Sequence, residues 1–338
     1  MTSTHRKARP WLAAGTAAWL SLLLAACGGN LGGGSGDDGS GFPGGDPVTL
    51  YVGQDPGGST DLIARALAEQ VSGDLGVAVP VENKPGANGA LAAQELAGKK
   101  ADGHTLMVFN GSLAYITPLA VAQGEAPDLA DYEIVTGISQ DDYVLVSAAD
   151  SGLATVGDLE KLGRAVKFGT TGVGTGSQLS QELLFAQAGI DATAVPFDGG
   201  SPTLTAVLGG QVDVGSIQLG EAVEQIEAGE LTPIVTFAGE RVSYLPGTPT
   251  AIEAGYDVPV QQSRAVFAPR GTPQDVIDSL AASFARAFEA EPYRRFNQDN
   301  QLTPNQVDGE TLRGQWTQNL DTYRAVTERY DIQLGGGQ

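Results

Sequence analysis

The sequence contains few of the residues that most often bind metals or transfer protons. One cysteine and two histidines occur among 338 residues. A lone cysteine cannot form a disulfide within the chain, and so few cysteine and histidine ligands argue against a structural zinc site. A Ser-His-Asp hydrolase would depend on His104, which follows Asp102-Gly103 as a loop residue does. We therefore predict neither a metal site nor a cofactor; an esterase or lyase that uses His104 stays an alternative.

Basic residues are also scarce. The chain has 19 Lys and Arg against 40 Asp and Glu, a formal net charge of −21. Nucleic acid is not an expected partner, because a strongly negative protein repels the phosphate backbone. The same field opposes any anionic ligand, so capture of an anion would depend on backbone N–H groups that point at it locally.

The first residues are typical of an export signal. Arg6, Lys7 and Arg9 precede an apolar run over residues 11–26, and Leu24-Ala25-Ala26-Cys27 matches a bacterial lipobox. We predict a signal peptide over residues 1–26, lipidation of Cys27, and a flexible tether rich in Gly, Ser and Asp over residues 27–47. The alternative is an uncleaved transmembrane anchor. Both arrangements place the rest of the chain outside the cytoplasm, attached to a membrane.

The most informative stretch joins an apolar strand, residues 48–52, to an amphipathic helix that starts at Ser59 or Thr60. Gly57 and Gly58 lie between them and let a ligand approach the backbone without a Cβ in the way. The first N–H groups of the helix have no partner within the helix, and a carboxylate or phosphate would satisfy them. We interpret this turn as an anion-binding loop; the alternative is a tight connection without a ligand.

Strands and helices alternate along the rest of the chain, which is typical of parallel α/β sheets. We expect strands at residues 77–81, 106–109, 143–147, 165–168, 195–197, 212–217, 234–237 and 265–269. Among the helices we expect one at about residues 90–97, and N-caps at Ser59 or Thr60, at Thr155 and at Thr272. A change in composition near Asp141 predicts entry into a second domain. The predicted fold is α/β, with domain 1 at residues 48–140 and 265–338, domain 2 at residues 141–264, and two crossing strands as the hinge.

Polar loops follow several of these strands and would face the crevice between the domains, where α/β sheets bind ligands. They contain Asn110, Asp198 and Gln218, and Ser201 is expected to cap the helix after Asp198. Residues 169–177 form a second glycine-rich loop before a helix, but this loop lacks the Gly-Lys-Ser/Thr ending of a nucleotide-binding loop. Two donor-rich loops on opposite sides of one cleft suit a carboxylate.

Five segments carry a resemblance to a known family: residues 55–61 (DPGGSTD), 81–89 (VENKPGANG), 101–106 (ADGHTL), 208–213 (LGGQVD) and 267–273 (FAPRGTP). In this order they resemble the substrate-binding proteins of tripartite tricarboxylate transporters, the Bug-type receptors. The resemblance covers about residues 48–329. It implies a bilobal type II periplasmic-binding-protein fold without enzymatic activity, a small organic carboxylate as ligand, and membrane permease subunits as partners. We expect a monomer.

The resemblance also implies which residues hold the carboxylate. In the first lobe they are Gly57, Gly58, Ser59 and Thr60. In the second lobe they are Thr171, Gly174, Thr175, Gly176 and Ser177.

Three positions depart from the pattern of the family. Asp198 stands where many members have lysine, Gln178 where histidine is common, and Ser263-Arg264 where an aromatic pair is common. We expect Asp198 to disfavour a tricarboxylate or to receive an ammonium or hydroxyl group, and Arg264 to pair with a distal carboxylate. The alternatives are a helix-capping or solvated loop role for Asp198 and a surface salt bridge for Arg264.

The sequence thus predicts a lipid-anchored extracytoplasmic receptor that closes over a mono- or dicarboxylate and delivers it to a tripartite transporter. In this hypothesis the loop of the first lobe binds the carboxylate that all ligands share, and Asp198, Gln218 and Arg264 select the acid. The alternative is a sensory or scaffold lipoprotein that uses the same closure to signal to a membrane partner.

Overall fold

The computed structural model of the chain describes residues 41–335. The predicted signal peptide, Cys27 and the tether up to residue 40 lie outside the described residues. The last part of the predicted tether forms a turn over residues 42–45, and the ring of Phe42 lies 5.2 Å from that of His104. Because Phe42 is apolar and packs there, this end of the tether is held against the fold. No helix within residues 41–335 is both long enough and apolar enough to cross a membrane.

Strands and helices alternate through most of residues 41–335. The strands are β1 (Thr49–Val52), β2 (Val81–Asn83), β3 (Thr105–Asn110), β4 (Tyr132–Ala148), β5 (Val166–Thr170), β6 (Ala192–Pro196), β7 (Val214–Gln218), β8 (Leu231–Thr236) and β9 (Gln261–Pro269). The α-helices are α1 (Ser59–Leu75), α2 (Ala90–Ala97), α3 (Ser112–Tyr115), α4 (Thr117–Ala120), α5 (Val156–Glu160), α6 (Gly176–Ala188), α7 (Gly200–Leu208), α8 (Leu219–Glu227), α9 (Gln274–Glu289), α10 (Glu291–Asp299) and α11 (Gly309–Arg329).

The strands form two mixed sheets, each the centre of one lobe. In the first lobe, β1 pairs in parallel with β2 and β3, and β9 pairs antiparallel with β3 and β4. In the second lobe, β5 pairs in parallel with β6 and β7, and β4 pairs antiparallel with β7 and β8. Parallel strands joined by helices place their carboxyl ends, and the loops that follow, along one edge of each sheet.

One long strand belongs to both sheets. β4 has 17 residues and pairs with β9 from Tyr132 opposite Pro269 to Asp142 opposite Gln261. Beyond that point, from Tyr143 onwards, it pairs with β7 instead. The strand predicted at residues 143–147 is therefore only the second half of β4. The predicted domain boundaries fall within β4 and β9, and the exact division stays a prediction.

Helices cover both faces of the sheet in the first lobe. On one face α1 and α9 bury residues such as Ile63 and Leu280. On the other face α2 and α11 enclose an aromatic cluster, in which the rings of Phe267 and Trp316 stack at 5.5 Å. Burial of these large side chains is the main favourable term that fixes the helices on the sheet.

The second strand is displaced from its predicted position at residues 77–81. Val48 N donates to Ala78 O at 3.0 Å and Leu50 N donates to Pro80 O at 2.9 Å. The segment therefore lies beside β1, but Pro80 has no N–H to return and regular pairing starts only at Val81. The prediction of a strand at residues 77–80 was wrong for this reason.

At three helices the predicted N-cap residue is not the one that the structure shows. Gly58 caps α1 in place of Ser59 or Thr60, and Gly199 caps α7 in place of Ser201. Neither glycine offers a side chain to the helix N–H groups, so both helices begin with backbone donors that no capping side chain satisfies. The Thr272 hydroxyl donates to Pro269 O at 2.7 Å and closes a turn instead of capping α9.

Candidate ligand-binding site

A cavity of about 240 Å³ lies between the two lobes, at the carboxyl ends of their parallel strands. Several residues predicted to bind the ligand line it. From the first lobe these are Gly58, Ser59, Thr60 and Asn110, and Arg264 lies opposite Asn110 on the crossing strand β9. From the second lobe they are Thr171, Thr175, Asp198 and Gln218.

The loop between β1 and α1 forms one end of the cavity. Gly57 has a φ of +89°, a conformation that side chains disfavour, and its N–H donates to Asp61 Oδ2 at 3.0 Å. This bond holds the loop on the start of α1. Burial acts to raise the pKa of Asp61, but the hydrogen bonds from Arg65, Gly57 and Asn83 together outweigh it and lower this pKa. Gly57 itself does not line the cavity.

The first N–H group of α1 already has an anionic partner. Ser59 N donates to Glu221 Oε1 at 2.8 Å, across the space between the lobes. Glu221 lies in the first turn of α8 and lines the cavity. A Cβ placed on Gly200 would lie 1.6 Å from Glu221 Oε2, so the carboxylate also lies against the start of α7. It therefore occupies the kind of position that favours an anion, where the N-termini of two helices meet.

Arg264 forms the floor of the cavity together with a buried acid. Its guanidinium is 2% exposed and pairs with Asp141, which is 0% exposed. Its other nitrogens donate to Ser59 Oγ at 2.5 Å and Thr60 Oγ1 at 3.2 Å. Burial raises the pKa of Asp141, while Arg264 and Ser139 act in the opposite direction. The alternative of a surface salt bridge for Arg264 was wrong, because the pair lies inside the protein between β4 and β9.

Some N–H groups of the glycine-rich loop of the second lobe are bonded within the loop and the start of α6. Thr171 N donates to Ser177 Oγ at 3.2 Å, and Gly174 N donates to Gln178 Oε1 at 2.9 Å. Gln178 N in turn donates to Thr175 Oγ1 at 3.2 Å, which makes Thr175 the cap of α6. These donors are therefore not free for a ligand in this arrangement.

Three predicted residues of this loop do not line the cavity. A Cβ on Gly174 would lie 2.9 Å from Thr117 Cα, and a Cβ on Gly176 would lie 2.7 Å from the ring of Tyr143. Both glycines allow a close approach to neighbouring residues. The Ser177 hydroxyl donates to Ser216 O at 2.6 Å within the second lobe.

Two further residues predicted to bind the ligand, Asp198 and Gln218, differ from each other in their exposure to solvent. Asp198 is exposed at the mouth of the cavity, and it does not cap α7, whose N-cap is Gly199. Gln218 is 3% exposed, and neither atom of its amide has a hydrogen-bond partner among residues 41–335. A buried amide without partners in a cavity wall is available to a ligand.

Sequence reasoning missed several residues of the cavity wall, namely Gln54, Asn88, Tyr143, Glu221 and Gln262. Gln54 Nε2 donates to Asn88 O at 3.1 Å, and the Tyr143 hydroxyl donates to Gln262 Oε1. Asn88 stands inside the motif at residues 81–89 and Gln54 directly precedes the motif at residues 55–61, so both could have been found from the sequence. Tyr143 and Gln262 lie on the crossing strands, whose pairing brings them together.

His104 lies outside the cavity wall, in the turn before β3. Its backbone N–H donates to Asp102 Oδ1 at 3.0 Å, and its Nδ1 lies 3.2 Å from Pro47 O. The esterase or lyase alternative needed this residue beside the ligand, and the structure places it elsewhere.

A bilobal α/β protein with a polar cavity between its lobes has the architecture of a solute-binding protein. Comparison with known proteins identifies the family. The model of the tripartite tricarboxylate transporter family receptor matches residues 63–328. The chain belongs to this family, which is one of receptors and not of enzymes, as the sequence predicted.

Curated relatives agree with this assignment. A UPF0065 protein of Agrobacterium vitis, from the TAR-I ttuE-ttuC' intergenic region, is 32% identical over 72% of this chain and 71% of its own. Protein BugT of Bordetella pertussis is 30% identical over 72% of this chain and 77% of its own.

Solved structures confirm the bilobal fold. A periplasmic transporter superposes with a TM-score of 0.82 at 27% identity, covering 87% of this chain and all of its own. MatC of Rhodopseudomonas palustris with bound malate gives 0.77 at 28% identity, covering 83% and 98%. Rpa4515 of R. palustris with adipate gives 0.79 at 25% identity, covering 85% and 98%.

Proposed function

We propose that the protein is a lipid-anchored extracytoplasmic receptor that binds a small organic carboxylate in the cavity between its lobes and delivers it to a tripartite transporter. The observation that carries this proposal is the first-lobe end of the cavity. There the Arg264 guanidinium, the Ser59 hydroxyl and the Asn110 amide stand together at the start of α1, where Glu221 accepts from the N–H of Ser59 alone. A helix N-terminus and a guanidinium both favour a carboxylate. Membership of the receptor family supports the same ligand class, and two similar structures contain malate and adipate.

The carboxylate is placed against the Ser59 hydroxyl, the Asn110 amide and the Arg264 guanidinium. These groups are joined to one another: Thr60 Oγ1 donates to Asn110 Oδ1 at 3.2 Å and accepts from Arg264 Nε. A connected network holds its members in fixed positions, so little side-chain order has to be gained when the ligand binds.

Titration calorimetry of the full chain in detergent tests this proposal with a panel of mono- and dicarboxylates that includes malate and adipate. We expect at least one ligand of micromolar affinity. Ser59→Ala removes one hydroxyl of the network and should weaken its binding by about 1–3 kcal/mol. The matched control is Ser243→Ala at an exposed position, which should not change binding. A panel without a binder, or equal affinity in both variants, would contradict the proposal.

Lipid anchoring and delivery have separate tests. We expect a fatty-acid label to be incorporated into the wild-type chain and not into a Cys27→Ser variant, which should be released from the membrane. For delivery, cells that contain the receptor should take up the ligand only when the large and small permease subunits are also present. Uptake without those subunits would exclude a tripartite transporter as the partner.

A further inference from the structure

The cavity wall contains buried hydrogen-bond acceptors that the described part of the chain leaves unsatisfied. Gln54 Oε1, Gln218 Oε1 and Glu221 Oε2 are buried and have no hydrogen-bond partner among residues 41–335. All three side chains line the same cavity. Native proteins pair nearly all of their buried polar atoms, so such a group of acceptors in a binding cavity indicates a ligand that brings donors.

This excess of acceptors does not depend on how the amides are oriented. Gln54 Nε2 donates to Asn88 O at 3.1 Å, and a carbonyl can only accept, so Oε1 is the unpaired atom of Gln54. In Gln218 both amide atoms are unpaired, and exchanging them leaves one donor and one acceptor. Glu221 Oε1 accepts from Ser59 N, which leaves Oε2 as the second free carboxylate oxygen.

Charge points to the same ligand chemistry. Asp55, Asp198 and Glu221 line the cavity as acids, and Arg264 is the basic residue of its wall. Arg264 already pairs with the buried Asp141. A second carboxylate on the ligand would face like charges at Glu221, whereas a positive charge there would be compensated.

We propose that the ligand carries a primary ammonium group as well as its carboxylate, and that Glu221, Gln54 and Gln218 bind this ammonium. The inference rests on the proposed function, because it takes the carboxylate at Ser59 and Asn110 as given. An ammonium has three N–H donors and one positive charge, which match three acceptors and one carboxylate. A quaternary ammonium has the charge but no N–H donor and does not fit. The ligand class is therefore that of amino acids.

The experiment compares matched probes on the full chain by titration calorimetry. One set is 6-aminohexanoate, its N-trimethyl derivative, hexanoate and adipate; a second is 4-aminobutyrate, butyrate and succinate; and α-amino acids of both lengths are added. We expect an amino acid to bind at least tenfold more tightly than the matched acid, diacid and N-trimethyl probe. Glu221→Gln should remove this advantage, and its affinity for the plain acids should stay within about threefold of the wild-type affinity. The control Glu227→Gln removes the same charge at an exposed position of α8 and should change nothing.

Glu221→Gln keeps an oxygen that can accept from Ser59 N, and its folding is checked by thermal unfolding. Gln54→Met is a second variant, which removes one acceptor without altering the charge. It should weaken the binding of amino acids at least threefold more than the binding of plain acids. If carboxylates bind but the ammonium gives no gain, or if neither variant changes the preference, the inference is wrong and the carboxylate receptor stands. If no probe of any kind binds, the proposed function itself is wrong.

Discussion

Removal of the charge on Arg264 is expected to destabilise the protein strongly. In Arg264→Met, the fully buried Asp141 loses its cation but keeps hydrogen bonds from Ser139 Oγ at 2.6 Å and Thr303 N at 2.9 Å. Breaking a buried pair by removal of one partner costs about 3–5 kcal/mol, and the two remaining bonds place the expected loss near the lower value.

The same reasoning predicts a dependence on pH. Burial raises the pKa of Asp141 and Arg264 opposes this effect, so the pKa should rise further in Arg264→Met. Protonation then removes the uncompensated charge, and the loss of stability should be smaller at pH 5 than at pH 8. Replacing the whole pair, as Asp141→Leu with Arg264→Met, should cost less than the sum of the two single changes, because neither charge is left buried alone.

Urea unfolding followed by circular dichroism measures these free energies. Arg270→Met, at an exposed position just beyond β9, is the matched control and should change stability by no more than about 0.5 kcal/mol. A loss below about 1 kcal/mol for Arg264→Met at pH 8 would refute the reasoning, and so would strictly additive costs in the double variant. Either result would mean that the pair is more hydrated than its burial indicates.

Three further predictions follow from contacts elsewhere. A Cβ on Gly220 would lie 1.9 Å from Asn300 O in the other lobe. Gly220→Ala should therefore hinder closure of the lobes and weaken ligand binding about tenfold. The control is Gly73→Ala, where a Cβ would meet open space and binding should not change. Trp316→Ala should cost about 3–5 kcal/mol in urea unfolding, because a fully buried side chain is deleted. Two lysines and Tyr51 lower the pKa of Glu95 from 4.5 to about 2. The ionised Glu95 therefore stabilises the fold, and the thermal midpoint of Glu95→Gln should lie below that of the wild type. This difference should have its full size above pH 4.5 and vanish as the pH falls to about 2.

Local sequence signals predicted much of the fold. The helix at residues 90–97 has the bounds of α2, and Thr155 caps α5 with a reciprocal bond from Asp158, as its position before that helix indicated. The first half of β4 was missed. Gly137, Ser139 and Asp141 interrupt its apolar pattern, and their burial depends on pairing with β9, more than a hundred residues away in sequence.

The same limit applies to the site. The loop before α1 could be recognised because glycines, hydroxyl residues and a helix start adjoin one another in sequence. Glu221 could not, because it is one of several acids on α8, and only the packing of the two lobes brings it to Ser59 N. Helix periodicity does not distinguish an acid that faces solvent from one that faces another helix terminus.

The crossing of β4 and β9 also determines how the two lobes communicate. Arg264 and Gln262 lie on β9, and Asp141 and Tyr143 lie on β4, so the floor of the cavity is made of the strands that join the lobes. β4 and β9 are also the predicted hinge, so we expect a solute on this floor to act on the hinge itself. Under the proposed function, occupancy of the cavity would then set the angle between the lobes, and a membrane partner that binds one angle would thereby distinguish the loaded receptor from the empty one.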